Sequence, residues 1–318
     1  MEFKRRLARL AIDSVVERTI PKLKKKDRNR GIRSLVDLGC QFASGERQKA
    51  FFCKLQNITR NPKNPYSALL IRTVNEADAG IVKRAGVNLG YTALTCGSGL
   101  LQKYSALWKT PLPWIIQLDC PGCSAEQLSG ILREGGGYGI LSYIFSIRSK
   151  EQLSVLFHLA KEFEECLFWA VIPGSLADAQ TSQAVWGLKN IVVIAELSDT
   201  AAAFPFEQWK AKQLLYGFLC RDRKSFDDRA FLTLMAESGC LFGVYSGASP
   251  LKPAGKYGQR FFYTDGNQRI PLALIDLQRD ALHIGGQIVP GSGYQSIPED
   301  AILRCQWNLG AILREKIR

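Results

Sequence analysis

The feature that most constrains the fold is an alternation that sets in after Pro113. Short runs rich in β-branched and aromatic residues recur there: WIIQLD (114–119), YGILSYIFS (138–146), LFWAVI (167–172), IVVIAEL (191–197), LLYGFLC (214–220) and LFGVYS (241–246). Helix-like stretches separate them: SAEQLSGILREG, SKEQLSVLFHLAKEF, SLADAQTSQAVWGL, a short FEQWKAKQ, and SFDDRAFLTLMAESG. Ser124, Ser149, Ser175 and Ser225 stand at N-cap positions, each followed by a carboxylate or amide. Near-continuous apolar strands alternating with helices require a parallel sheet covered on its faces. Six such units predict an α/β chain with a partial (βα)6 TIM-like barrel. A doubly wound open sheet is the alternative.

Residues 1–110 read as a helical N-terminal region, with a turn at Gly45 and a loop at Asn61, Pro62, Asn64 and Pro65. The barrel is expected over 111–255 and a C-terminal extension over 256–318. In that extension, IPLALIDLQRDALHIGGQIV reads as one or two strands, and EDAILRCQWNLGAILREKI as a last helix. Gly135-Gly136-Gly137 lies between a helix and the next strand, so it reads as a C-cap turn rather than a phosphate loop.

Hydrophobic residues are 46% of the 318 and charged residues 22%, the balance of a soluble globular protein. The start of the chain lacks the apolar core of a secretory signal, so a cytoplasmic location is expected. Nine scattered cysteines, an odd number in a large chain, do not suggest a disulfide framework. Two histidines, His158 and His283, are too few for a histidine metal site or a Ser-His-Asp triad. Of the net charge of +13, residues 1–30 contribute +7, from eleven Lys or Arg against four Asp or Glu. Arg5, Arg6, Arg9, Lys24, Lys25 and Lys26 are either a solvated face or a contact for a partner or an anionic membrane surface. No aromatic residues interleave with them, and nucleic acid is not expected.

Several segments together resemble a known family. NPKNPYSALLIRTVNEADAGIVKRAGVNLGYTALTCGSGLLQK is similar to the helices that precede the barrel in one subgroup of radical SAM enzymes. TPLPWIIQLDC resembles that subgroup's first strand. LLYGFLCRDRKSF, ESGCLFGVYSGASPLKPAG and IPLALIDLQRDALHIGGQIVPG resemble its late strands and auxiliary-cluster region. The resemblance implies a CxxxCxxC loop after the first strand, whose thiolates hold a [4Fe–4S] cluster with one iron open to S-adenosylmethionine. This chain departs from that pattern. Cys120 ends the strand and Cys123 already heads the helix, leaving at most two thiolates. Ser146-Ile147-Arg148-Ser149 stands where a glycine-rich turn would hold the methionyl amine, and Gln287 stands where an auxiliary cysteine is expected.

The reading is therefore a degenerate radical SAM homologue. It is expected to act without catalysis, as partner or regulatory subunit of an active homologue or pathway protein. No cofactor is expected, neither an iron–sulfur cluster nor S-adenosylmethionine. Cys120 and Cys123 read as the edges of a deletion; a redox pair at a helix N-terminus, or half of a shared metal site, are the alternatives. Arg148, Glu196, Arg221 and Tyr245, with Asp222 and Arg223, fall at or just past strand C-termini, the end at which barrels place chemistry. They form a candidate pocket, suited by its arginines to an anionic ligand, or a set of mutual ion pairs. The rival functions are an enzyme of other chemistry at that mouth, an unusually ligated iron–sulfur protein, and a membrane-surface scaffold.

Overall fold

The computed structural model describes residues 9, 12–19, 28–43, 45–61, 64–197, 204–247, 251, 260–263, 270–287 and 289–315. Arg5, Arg6, Lys24, Lys25 and Lys26 lie outside the described residues.

The six expected strands form β1 (Ile115–Asp119), β2 (Ser142–Ser146), β3 (Leu167–Pro173), β4 (Ile191–Glu196), β5 (Tyr216–Cys220) and β6 (Phe242–Tyr245). Three more follow: β7 (Arg260–Tyr263), β8 (Pro271–Asp276) and β9 (Tyr294–Pro298). All nine join one sheet in the order β7-β8-β6-β5-β4-β3-β2-β1-β9. Every pairing is parallel except β7 with β8. The sheet thus contains eight parallel strands rather than six. The sequence reading treated β8 and β9 as an extension; they extend the same sheet at its two ends.

That sheet is curled into a half-barrel. Flat, its eight parallel strands would set β8 and β9 about 34 Å apart at ~4.8 Å per spacing. Helix Leu277–Gly286, only about 15 Å long at 1.5 Å per residue, touches both of them. The rings of Trp169 on β3 and Phe242 on β6 also meet across the concave side, 6.1 Å apart. Gly217 makes room for this contact, since a Cβ there would lie 2.6 Å from the Phe242 ring. The antiparallel β7 occupies the outer edge of β8, so β8 and β9 do not pair.

Strand periodicity sorts the side chains. Ile116, Leu118, Tyr143, Phe168, Ala170, Val193 and Phe218 face outward and are buried under helices. Each fully buried large apolar side chain contributes roughly 1.5–3 kcal/mol. Helices Ala125–Tyr138 and Lys150–Glu162 start where expected, at Ser124 and Ser149. Ser175 instead sits in a short 3₁₀ turn, and Asp178 caps the following helix. Ser225 lies inside a five-residue helix, because Asp222 and Asp228 cap Arg223–Asp227 and Arg229–Glu237 in turn.

Three expectations about the glycines and the tail are corrected. Gly135, Gly136 and Gly137 lie within the helix, and the cap is Gly139, at φ +92°. Gly135 serves close approach instead, for a Cβ there would meet the Tyr143 hydroxyl at 2.2 Å. Gly285 and Gly286, inside the run read as one or two strands, end a helix instead, which Asp276 caps by accepting from the Arg279 N–H. The last helix is broken into Glu299–Arg304 and Leu309–Glu315 by Gln306 and Trp307, both at positive φ.

The N-terminal helices pack under the strand N-termini. Arg28–Phe42, Gly45–Arg60, Pro65–Glu76 and Ala79–Gly86 lead into a π-helical turn, Val87–Gly97, and then Ser98–Trp108. Arg72 pins this layer to the barrel by donating to the carbonyls of Ala236 (2.8 Å), Cys240 (3.0 Å) and Pro271 (2.7 Å). Asn88, fully buried, donates to Glu164 O and Cys166 O.

Candidate functional site

The C-terminal ends of the strands form the mouth of the half-barrel. β1 delivers Asp119 and the turn Cys120-Pro121-Gly122-Cys123-Ser124. A capping box closes this turn: Ser124 Oγ accepts from Gln127 N–H while Gln127 Oε1 accepts from Ser124 N–H at 2.8 Å. The Gly122 N–H donates to Glu299 Oε1 at 3.0 Å, which ties the turn to the end of β9.

Cys120 and Cys123 are buried, with their thiols in hydrogen-bond contact. Burial pushes the Cys120 thiol far above its usual range, and the facing sulfur, Glu299 and Asp119 push it further. Burial also raises Cys123, against an opposing hydrogen bond from Cys120. A redox pair would need one of them as a thiolate. Both thiols are thus shifted towards the protonated form, away from that thiolate.

The pocket candidates separate into two ion pairs and one outward residue. Arg148 reaches Asp119 at 3.4 Å, from an arginine 62% exposed. Arg221 reaches Glu196 at 2.6 Å, from an arginine 66% exposed. Pro173 of β3 stands between the two pairs in strand order. Asp222 caps a helix start by accepting from Lys224 and Ser225 N–H, and Arg223 pairs with Asp227 at 3.6 Å. Tyr245 lies on the helix-facing side of β6, buried against Phe226 at 5.7 Å. It does not converge with Glu196 and Arg221, because side chains alternate along β6 and the inner positions are Phe242 and Val244.

The inner lining of the mouth has two unlike walls. On one side Tyr294 Oη donates to Gln117 Oε1 at 2.6 Å, and Gln117 Nε2 donates to Ser146 Oγ at 3.2 Å. Burial holds the Tyr294 phenol above its ordinary pKa. Across from it, Val171, Ile194 and Val244 supply an apolar wall. Sequence reasoning missed this polar chain. Its signal was Gln117, a polar residue in the otherwise apolar WIIQL.

A second missed cluster stands at the end of β8. Asp276 and Asp280 are each 2% exposed. Arg279 donates to both Asp280 oxygens at 2.8 Å, and Asp276 Oδ2 accepts from Leu251 N–H at 2.6 Å. Every carboxylate oxygen is engaged, so the cluster clasps the chain at Leu251 to the following helix.

Gln287 is engaged as well. Its Oε1 accepts from Lys54 Nζ at 2.6 Å, and its Nε2 lies 3.1 Å from His283 Nε2. Arg9 turns inward from the basic N-terminal set: 11% exposed, it bonds Asn88 and Thr92 and reaches Glu165 at 3.5 Å. Among the described residues, no three His, Cys, Asp or Glu side chains converge as a metal site, and no helix is long and apolar enough to cross a membrane. Two clefts of about 870 and 390 Å³ lie at the opposite, N-terminal end, beside Glu162–Cys166 and beside Arg72 and Tyr216.

No family model matches the chain, and no curated protein matches it. Among solved structures it is similar to a 4-hydroxy-2-oxoglutarate/2-dehydro-3-deoxyphosphogluconate aldolase at 12% identity and a TM-score of 0.31, over 69% of this chain and 94% of that one. A likeness of that size says nothing about the reaction.

Proposed function

We propose that this chain is a non-catalytic relative of the radical SAM enzymes, a partner or regulatory subunit of an active homologue or of another protein in its pathway. On this reading β1–β6 are the (βα)6 core of that superfamily, and β8 and β9 are additions to it. The observation that carries the proposal is the β1 turn. A cluster-binding loop must offer three thiolates to iron. This turn is five residues long, from Cys120 to Ser124, with both its thiols buried and shifted towards the protonated form and its Gly122 N–H held by Glu299. Arg148 adds to it, placing a cation over Asp119 where the family's turn would receive an amine.

Affinity capture from the native host, read by mass spectrometry, tests the partner role. An enzyme with an intact CxxxCxxC motif should copurify. Recovery of this chain alone under mild lysis would count against the reading.

A second reading, an enzyme of other chemistry at the barrel mouth, draws on the two walls. Gln117, Ser146 and Tyr294 face Val171, Ile194 and Val244 under two arginine–carboxylate pairs, a lining suited to a small amphiphilic anion. Replacing Gln117 with Leu should abolish such binding and leave partner capture intact, which separates the two.

A further inference from the structure

Outside the barrel, helices Arg28–Phe42 and Gly45–Arg60 form an antiparallel hairpin that turns at Gly45, where φ is +81°. One side-chain bond sets its register, from Gln56 Nε2 to Asp37 Oδ1 at 2.7 Å. One turn nearer the bend, three residues on in the first helix and three back in the second, stand Cys40 and Cys53. Residues three apart share a helix face, so these two occupy the next rung of the same ladder. The helices approach closely at that level, for a Cβ on Gly39 would lie 2.2 Å from the Phe52 ring. The two sulfurs face each other in hydrogen-bond contact. Unlike Cys120 and Cys123, this pair meets solvent: Cys53 is exposed and Cys40 partly covered.

We propose that Cys40 and Cys53 are a reversible disulfide site, oxidised by hydrogen peroxide. Cys53 is the attacking group, because it is the exposed member of the pair and peroxide reaches it first. Its sulfur displaces hydroxide from the peroxide O–O bond, giving a sulfenic acid, and the hydroxide takes up the Cys53 proton as water. Cys40 then attacks that sulfur and expels a second water. In sum, two thiols and one peroxide give one disulfide and two waters. Cys40 suits the resolving role, since burial and the facing Cys53 sulfur raise its thiol pKa and keep it protonated until the sulfenic acid forms. An external thiol reverses the bond by exchange. The disulfide ties together the two helices of the hairpin, whose second helix is anchored to Gln287 through Lys54 and to Thr95 through Gln48.

Peroxide titration of the full reduced chain tests this. Free thiols are then blocked, and non-reduced tryptic peptides are read by mass spectrometry. The expected product joins peptide 34–47 to peptide 50–54, with the loss of two of the nine titratable thiols and full recovery on adding dithiothreitol. Cys40→Ser and Cys53→Ser should each abolish the cross-link, and Cys120→Ser should leave it unchanged. Cys53 recovered as sulfinic acid without a link to Cys40 would overturn the proposal, as would Cys120–Cys123 oxidising first.

Discussion

The two ends of the half-barrel are held by arginines in opposite ways. At the strand N-termini, Arg72 is 7% exposed and spends its guanidinium on three backbone carbonyls and Glu76. At the strand C-termini, Arg148 and Arg221 are more than 60% exposed and each meets one carboxylate. The first arrangement cannot be lost without stranding buried acceptors, whereas water replaces the second. This division matches the general rule that barrels keep stability at one end and chemistry at the other. Here the mouth has one polar and one apolar wall, and the β1 turn is tied to the end of β9 by the Gly122–Glu299 hydrogen bond.

The sharpest way to break this comparison is Arg72→Met. It leaves the carbonyls of Ala236, Cys240 and Pro271 without their shared donor, and should cost about 3–5 kcal/mol in urea unfolding. A cost below about 1 kcal/mol, the range of an exposed pair, would erase the distinction between the ends. Asn88→Ala should cost less, on the order of 1–3 kcal/mol, because two carbonyls and Arg9 lose a neutral partner.

Asp78 sharpens the comparison through pH. Its partial burial would raise its pKa, but the Lys189 ammonium and the N–H groups of Ile81 and Gly80 outweigh this and hold the carboxyl below its ordinary 3.8. A depressed carboxylate stabilises the fold above its unfolded pKa, and the gain is lost as pH falls from about 3.8 through the lower folded value. Acid unfolding of the native chain should therefore steepen below about pH 4 relative to Asp78→Asn. Identical acid limbs would remove the Asp78–Lys189 link from the N-terminal end. The smallest effect is expected at the mouth, where Arg148→Ala and Arg221→Ala should each change stability by less than about 1 kcal/mol.

Local chemistry made much of this fold legible. β-branched runs marked β1–β6, and Ser124 and Ser149 marked two helix starts. Ser175 and Ser225 misled because the helices there start at other residues, Asp178, Asp222 and Asp228, whose side chains cap them. The placement of β9 beside β1 was not legible, since it depends on the whole sheet curling. Arg72 also gave no signal, because its carbonyl partners lie more than 160 residues away in sequence. At the mouth, Glu196 and Arg221 were visible as strand-end residues. Mutual ion pairing was one of the two readings offered for them; which residue pairs with which, and the outward face of Tyr245, followed only from strand register. The acidic cap that makes LQRDALHIGG helical was present in the sequence as Asp276, inside the run read as one or two strands.

The most direct test of the central claim is anaerobic reconstitution with iron and sulfide, followed by reduction in the presence of S-adenosylmethionine. With Cys120 and Cys123 sealed in the β1 turn, the protein should stay free of a cluster and yield no 5′-deoxyadenosine. A bound [4Fe–4S] cluster that cleaves S-adenosylmethionine would contradict the account.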